Sequence, residues 1–158
     1  MDGAVIFGMN PYIIMERKAK YTIGMYIRED WDEKKHSEKG KKVLNSETGK
    51  YECKNCFSKF ITIGQELKLN DVITHSYYMT GKRRGHLRFY KTKKSNPIFT
   101  FEDGIELIGE CELDAGKDYN SIEEKKVVVN LKFGGTFIDV NAIHIKSGKK
   151  VKAIFNFS

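Results

Sequence analysis

KVVVNLKFGGTFIDVNAIHIKSGKKVKAIFNF, residues 126–157, decides the fold. Val127, Val129, Leu131 and Phe133 alternate with Val128, Asn130 and Lys132, which is the period of a strand with one buried face. Gly134-Gly135 interrupts the run and the pattern resumes at Phe137, as in a β-hairpin. Ser147-Gly148-Lys149 supplies a second turn, after which Val151, Ala153, Phe155 and Phe157 alternate with Lys152, Ile154 and Asn156. Three strands joined by two short turns predict an antiparallel meander with one face toward a core.

Working outward, further strands are expected at Tyr21–Ile27, Phe57–Ile63, Asp71–Met79, Gly85–Lys91 and Glu106–Leu113, each bounded by Gly, Asn, Asp or Pro. Asn10-Pro11 reads as an N-cap followed by proline at the first helical position, so a short helix is expected from Pro11 to about Lys20. The segment from Glu29 to Lys50 is charged, with little apolar periodicity, and reads as a long loop or insertion. The sum is a mainly β protein: a two-layer antiparallel β-sandwich of about eight strands with a short N-terminal helix.

Composition agrees with one folded unit. A chain of 158 residues with 40% hydrophobic and 12% aromatic side chains and two prolines has enough apolar surface for a single core. Its net charge of +7 permits attraction to anions, although lysines on strand faces and turns commonly serve solubility. Three cysteines, Cys53, Cys56 and Cys111, have no secreted-scaffold spacing, and no signal-peptide pattern opens the chain, so a cytoplasmic location is expected. Apolar runs such as Val127–Val129 are too short for a membrane span.

Few residues are arranged for chemistry. Cys53-Lys54-Asn55-Cys56 has the spacing of a metal or redox pair, but no second pair follows, and Cys111 or one of His36, His75, His86 and His144 would have to complete it from afar. Two half-buried structural thiols, with no metal and no cofactor, are therefore the expectation. The histidines accompany no nucleophile elbow, so no enzymatic activity is expected. Gly3 and Gly8 are spaced like the glycines of a phosphate loop, yet Met9-Asn10 stands where Lys and Ser/Thr would be required. Glu102, Asp103 and Glu106 lack the regular odd spacing of a calcium loop. Lys82, Arg83, Arg84, Arg88, Lys91, Lys93 and Lys94, interleaved with Tyr77, Tyr78, Phe89 and Tyr90, form a candidate anion site. Single-stranded nucleic acid would need those aromatics on the basic face, whereas the alternation puts Leu87 and Phe89 opposite Arg88, which disfavours nucleic acid as a partner.

Taken together, several segments carry a resemblance. Gly3 through Gly8, Asn10-Pro11 and the run from Arg17 to Gly24 resemble the last helix of an ATPase domain, its linker and the strand beyond. Cys53, Phe57 and Lys59-Phe60-Ile61, then Ile108-Gly109 before Leu113, and Gly135 through Ala142 with Ser147-Gly148-Lys149, follow in matching order. Nearly end to end, the chain resembles the C-terminal part of the heat shock 70 kDa protein 12 branch of the DnaK-type chaperone superfamily.

That resemblance implies a division into residues 1–20, a remnant of the ATPase-domain C-terminal helix plus linker, and residues 21–158, a substrate-binding β-sandwich with a charged insertion at about 29–50. It implies a module that binds extended apolar peptides or unfolded protein segments, without a lid and without ATP control. Carried onto this sequence, Met25, Ile27, Ile73, Thr74 and Ser76 would border the peptide cleft, and Leu87 and Phe89 would floor its central pocket. Arg28 falls near the position of an apolar arch residue in typical members, and Met15–Lys20 replaces their acidic-apolar linker. The apolar residues of 1–20 would be candidates for self-association. The alternatives are an anionic-surface or nucleic-acid binder through Lys82–Lys94, centred on Lys82, Arg83, Arg84 and Arg88, or an inactive truncated remnant.

Overall fold

In a computed structural model of the chain, residues 17–68 and 71–158 are described. The closing meander forms as its alternation dictates: β9 (Lys126–Gly134), β10 (Phe137–His144) and β11 (Lys150–Asn156) pair in sequence order, antiparallel throughout. Gly134 lies opposite Phe137, leaving a two-residue turn in which Gly135 adopts φ +61°. A side chain there would be strained, which is why glycine stands at the first turn position. The second turn is held by His144, which is fully buried. Its Nε2 donates to the Glu124 carbonyl at 2.6 Å, and its Nδ1 accepts from the Ser147 hydroxyl at 2.7 Å. This histidine is a structural pin with both ring nitrogens satisfied.

β6 (Val72–Tyr78) adds to β9 and completes a four-stranded sheet in the order β11-β10-β9-β6. A five-stranded sheet faces it. Its order is β3 (Lys41–Leu44), β4 (Tyr51–Ile61), β2 (Thr22–Asp30), β7 (Arg84–Thr92) and β8 (Ile105–Asp114), all neighbours antiparallel. β1 (Arg17–Lys18) and β5 (Glu66–Leu67) make a separate two-stranded ribbon. The two-layer antiparallel sandwich is thus as expected. Among the described residues there are eleven strands; setting aside two-residue β1 and β5 and four-residue β3 leaves the eight that the sequence announced.

Two expectations change. The N-terminal helix falls mostly on residues outside those described, but Arg17–Lys18, its proposed last turn, is extended because it pairs with Leu67 and Glu66. The charged segment after Glu29 is not an open loop: β2 continues to Asp30, a single helical turn α1 (Glu33–His36) follows, and β3 forms beyond it. Asp32 caps α1, its carboxylate accepting from the Lys34 and Lys35 amides at 3.0 and 3.3 Å. No helix among the described residues is long and apolar enough to cross a membrane.

The core lies between the sheets. Ile23, Met25, Phe60, Leu87, Phe89 and Leu113 face Val127, Val129, Leu131, Phe133, Ile138, Val140 and Ala142. At one open end of the layers, β8 approaches β11 so closely that a Cβ on Gly109 would lie 2.2 Å from the Phe155 ring. Glycine at this position, beside the irregularity where β7 and β8 slip register, lets that ring seal the core. Replacing Gly109 by alanine should therefore destabilise the chain by about 1–3 kcal/mol, the cost of overpacking. Calorimetry should register a fall of roughly 2–4 °C in Tm per kcal/mol for a chain of this size.

Candidate functional site

A cleft of about 490 Å³ opens between the edges of the two sheets. One wall is the end of β2 with the β3–β4 hairpin: Ile27 to Asp30, Leu44 to Thr48, Lys50 and Glu52. The other is the end of β6 and the residues after it, Ser76 to Thr80, with Ile122 and Lys125 from the short 3-10 turn before β9. β3 and β6 are edge strands of different sheets, each paired on one side only.

Sequence chemistry sets this geometry locally. Asn45 closes the hairpin: its amide donates to the Lys50 carbonyl at 2.8 Å, its Oδ1 accepts from the Glu47 amide at 3.0 Å, and its Nδ2 donates to Glu52 at 3.1 Å. Glu47, at the tip, forms an ion pair with the buried Lys125, so the hairpin is tied across the cleft to the turn before β9. Arg28 Nε lies 3.3 Å from Glu52 Oε1, without the alignment of a hydrogen bond. The buried Tyr77 hydroxyl has no hydrogen-bond partner among the described residues, and burial pushes its pKa well above the usual tyrosine value. Leu44 and Tyr78, 55% and 48% exposed, put apolar surface on opposite walls.

The residues expected to form a peptide cleft are not brought together. Met25, Leu87 and Phe89 are sealed in the core, at most 1% exposed, because their strands are covered by the four-stranded sheet. Ile73 packs on that core, whereas Thr74 and Ser76, one and three positions further along β6, are exposed. Thr74 Oγ1 donates to Asn130 Oδ1 at 2.6 Å. Ile27 and Ser76 alone of the seven line the cleft. Sequence reasoning missed Leu44 and Lys125 and set Tyr78 with the basic cluster: the first sits in a segment read as loop, and the pairing of Lys125 with Glu47 spans 78 positions.

The basic cluster is a ladder of cross-strand ion pairs. Arg83 meets Asp114 through Nε at 2.9 Å and a second nitrogen at 3.3 Å, holding that carboxyl down to about 2. Arg84 and His86 face Glu112 at 3.5 Å, Arg88 faces Glu110 at 3.4 Å and Lys91 faces Glu106 at 3.7 Å. Lys82, just before β7, is exposed. Acids alternating along β8 thus offset the cations of β7, and the strand's aromatic Phe89 points inward. Arg88 and Lys91 also lie over the rings of Tyr26 and Tyr21, at 5.8 and 4.6 Å to the ring centroids, so these cations are engaged by acids and aromatic faces of the chain itself.

A second small core lies under the α1 segment, built on Cys53, Cys56 and Phe99 with Ile27, Trp31 and Ile98 against it. Both thiols are fully buried, not half-buried. Burial above all, then the neighbouring Cys53 and Glu29, pushes the Cys56 thiol far up. Burial works against ionisation of Glu29 too, but hydrogen bonds from Lys35 and His36 outweigh it and hold the carboxyl low.

Heat shock 70 kDa protein 12A from Homo sapiens is 28% identical over 163 aligned residues, taking in 99% of this chain and 23% of that protein. The chain matches one part of a heat shock 70 kDa protein 12. The Mus musculus 12A protein is 27% identical over the same share, and the human 12B protein is 24% identical, with 99% of this chain and 24% of its own length aligned. The chain thus spans about a quarter of the length of the curated relatives it matches. No family model matches it. The described residues of the matching stretch form the β-sandwich with the structured insertion that borders the cleft.

His75 on β6 stacks on Phe60 with ring centroids 4.1 Å apart. Burial holds it below its ordinary 6.5. The unfolded chain therefore takes up this proton first: stability is full above about 6.5 and falls as pH drops through that value toward the folded-state pKa. Thermal melts at about pH 7.5, 6 and 5 should show the decline, and His75→Phe should flatten it in this window.

Proposed function

We propose that the chain is a peptide- or protein-binding module of heat-shock-70 type that takes extended segments with apolar side chains between β3 and β6, without nucleotide. The observation that carries this reading is the cleft between two sheet edges. An edge strand presents backbone donors and acceptors that a second extended chain can pair with, and here the ends of two such edges, Leu44 of β3 and Ser76 to Tyr78 of β6, border one opening. Leu44 and Tyr78 offer the apolar contact that would select a side chain, while Arg28, Glu47, Glu52 and Lys125 provide polar groups around it. The similarity to the heat shock 70 kDa protein 12A and 12B proteins supports the class of module.

In this reading Met25, Leu87 and Phe89 support the site from beneath and do not touch the ligand. For an open cleft of this kind the expected affinity is micromolar, roughly −8 kcal/mol. Titration of a fluorescent apolar heptapeptide into the chain should show saturable binding. Leu44→Asp and Tyr78→Ala, both at exposed positions, should each weaken it by about tenfold, about 1.4 kcal/mol, and leave stability within about 0.5 kcal/mol. Absence of saturable binding, or affinity indifferent to both changes, sinks the reading.

A further inference from the structure

Residues three apart in a regular strand point to opposite faces, so Cys53 and Cys56 should not share a pocket. In β4 they do. Ile27 pairs with Cys56 and Glu29 with Cys53, so Arg28 alone faces both Lys54 and Asn55 across a bulge. Asn55, with φ +59°, is the one non-glycine residue at positive φ among those described. The bulge turns both thiols to the same side, where they meet the ring of His36 from α1. One ligand atom from each of His36, Cys53 and Cys56 lies within 4.8 Å of the others, and all three residues are buried.

A fourth ligand stands beside them. His36 Nε2 is 3.8 Å from Cys56 Sγ and 2.9 Å from Glu29 Oε1. Around a tetrahedral zinc, with bonds of about 2.3 Å to sulfur and about 2.0–2.1 Å to nitrogen and oxygen, the corresponding edges are about 3.6 and about 3.3 Å. These two edges need movements of only a few tenths of an ångström, while the Glu29 carboxylate, which stands outside the group of three lying within 4.8 Å of one another, has to swing further in to complete the tetrahedron. Its charge also closes: two thiolates and a carboxylate around a divalent ion sum to −1, and Lys35 Nζ, 2.9 Å from Glu29 Oε1, supplies +1.

We propose that Cys53, Cys56, His36 and Glu29 bind one zinc ion, in a closed four-coordinate site that fastens the α1 segment to β2 and β4. Binding releases the two thiol protons to solvent. The His36 ring proton relocates, because Nδ1 now accepts the Asp32 amide at 2.9 Å, so Nε2 carries the proton. Coordination through Nε2 moves that proton to Nδ1, and the Asp32 amide gives up its acceptor. Phe99 and Trp31, whose rings lie 6.0 and 5.3 Å from that of His36, exclude water from the site.

Trp31 is the only tryptophan, so its emission reports on the site directly. The test is titration of the reduced, metal-free full chain with zinc and with cobalt(II). Expected are one metal per chain, altered Trp31 emission, a raised Tm, and for cobalt an intense thiolate charge-transfer band with tetrahedral d–d bands. Cys111→Ser should retain all of these. Glu29→Gln should lower affinity by at least about tenfold while keeping the charge-transfer band. A wild-type chain with all three thiols titratable but no cobalt charge-transfer band overturns the proposal, with no variant required. So does unchanged affinity in a Cys53→Ser, Cys56→Ser double variant.

Discussion

Phe89 joins the layers of this molecule. It projects from β7, fully buried, with its ring 6.4 Å from Phe60 on β4 and 5.9 Å from Phe155 on β11, so one side chain touches both sheets. Deleting such a ring costs about 3–5 kcal/mol, a large part of the roughly 5–15 kcal/mol by which domains are stable. A residue on which the sandwich depends to that extent is not available to a ligand. The same holds for Leu87 and Met25 on either side of it. The proposed site for an extended partner lies instead at the opening between the sheets, bordered by the ends of β3 and β6.

The cleft wall depends in turn on a segment that cannot stand by itself. A helix of one turn is unstable in water, and α1 is held by its Asp32 cap and by what His36 meets underneath. Below it, Ile98 to Thr100 cross the bulge of β4, with the Phe57 amide donating to Ile98 and the Thr100 amide to Asn55, both at 2.9 Å. A bulge that aims two thiols at one histidine fixes where the insertion sits, and hence where β3 lies relative to β6. Zinc at that point would tie a surface insertion to the sandwich, and metal loading would become a condition on the shape of the cleft.

Much of this was legible. The meander was readable because one face of each strand is buried, and a period of two leaves no other assignment for Val127 to Phe133. β7 was readable for the same reason. Alternation says that Leu87 and Phe89 point inward, but not whether the space they face is filled, and here the opposing sheet fills it. β3 was invisible because Lys41–Leu44 owes its extension to pairing with β4 and carries no apolar rhythm of its own. The cysteine cluster was hidden by the bulge: i and i+3 in a strand diverge unless the backbone is broken, and the αL conformation of Asn55 has no sequence signature strong enough to announce it. Lys125 and Glu47 show the common limit, a contact between distant residues that only the assembled sheets bring together.

The central claim, that the two sheet edges flanking the cleft receive an extended chain, is tested most directly by amide hydrogen exchange with and without a saturating apolar peptide. The account predicts slowed exchange at the amides of Lys41–Leu44 and Val72–Tyr78 that face away from β4 and β9, with the core strands unchanged. Protection confined to Arg84–Thr92, or none at either edge while the peptide is demonstrably bound, would contradict it.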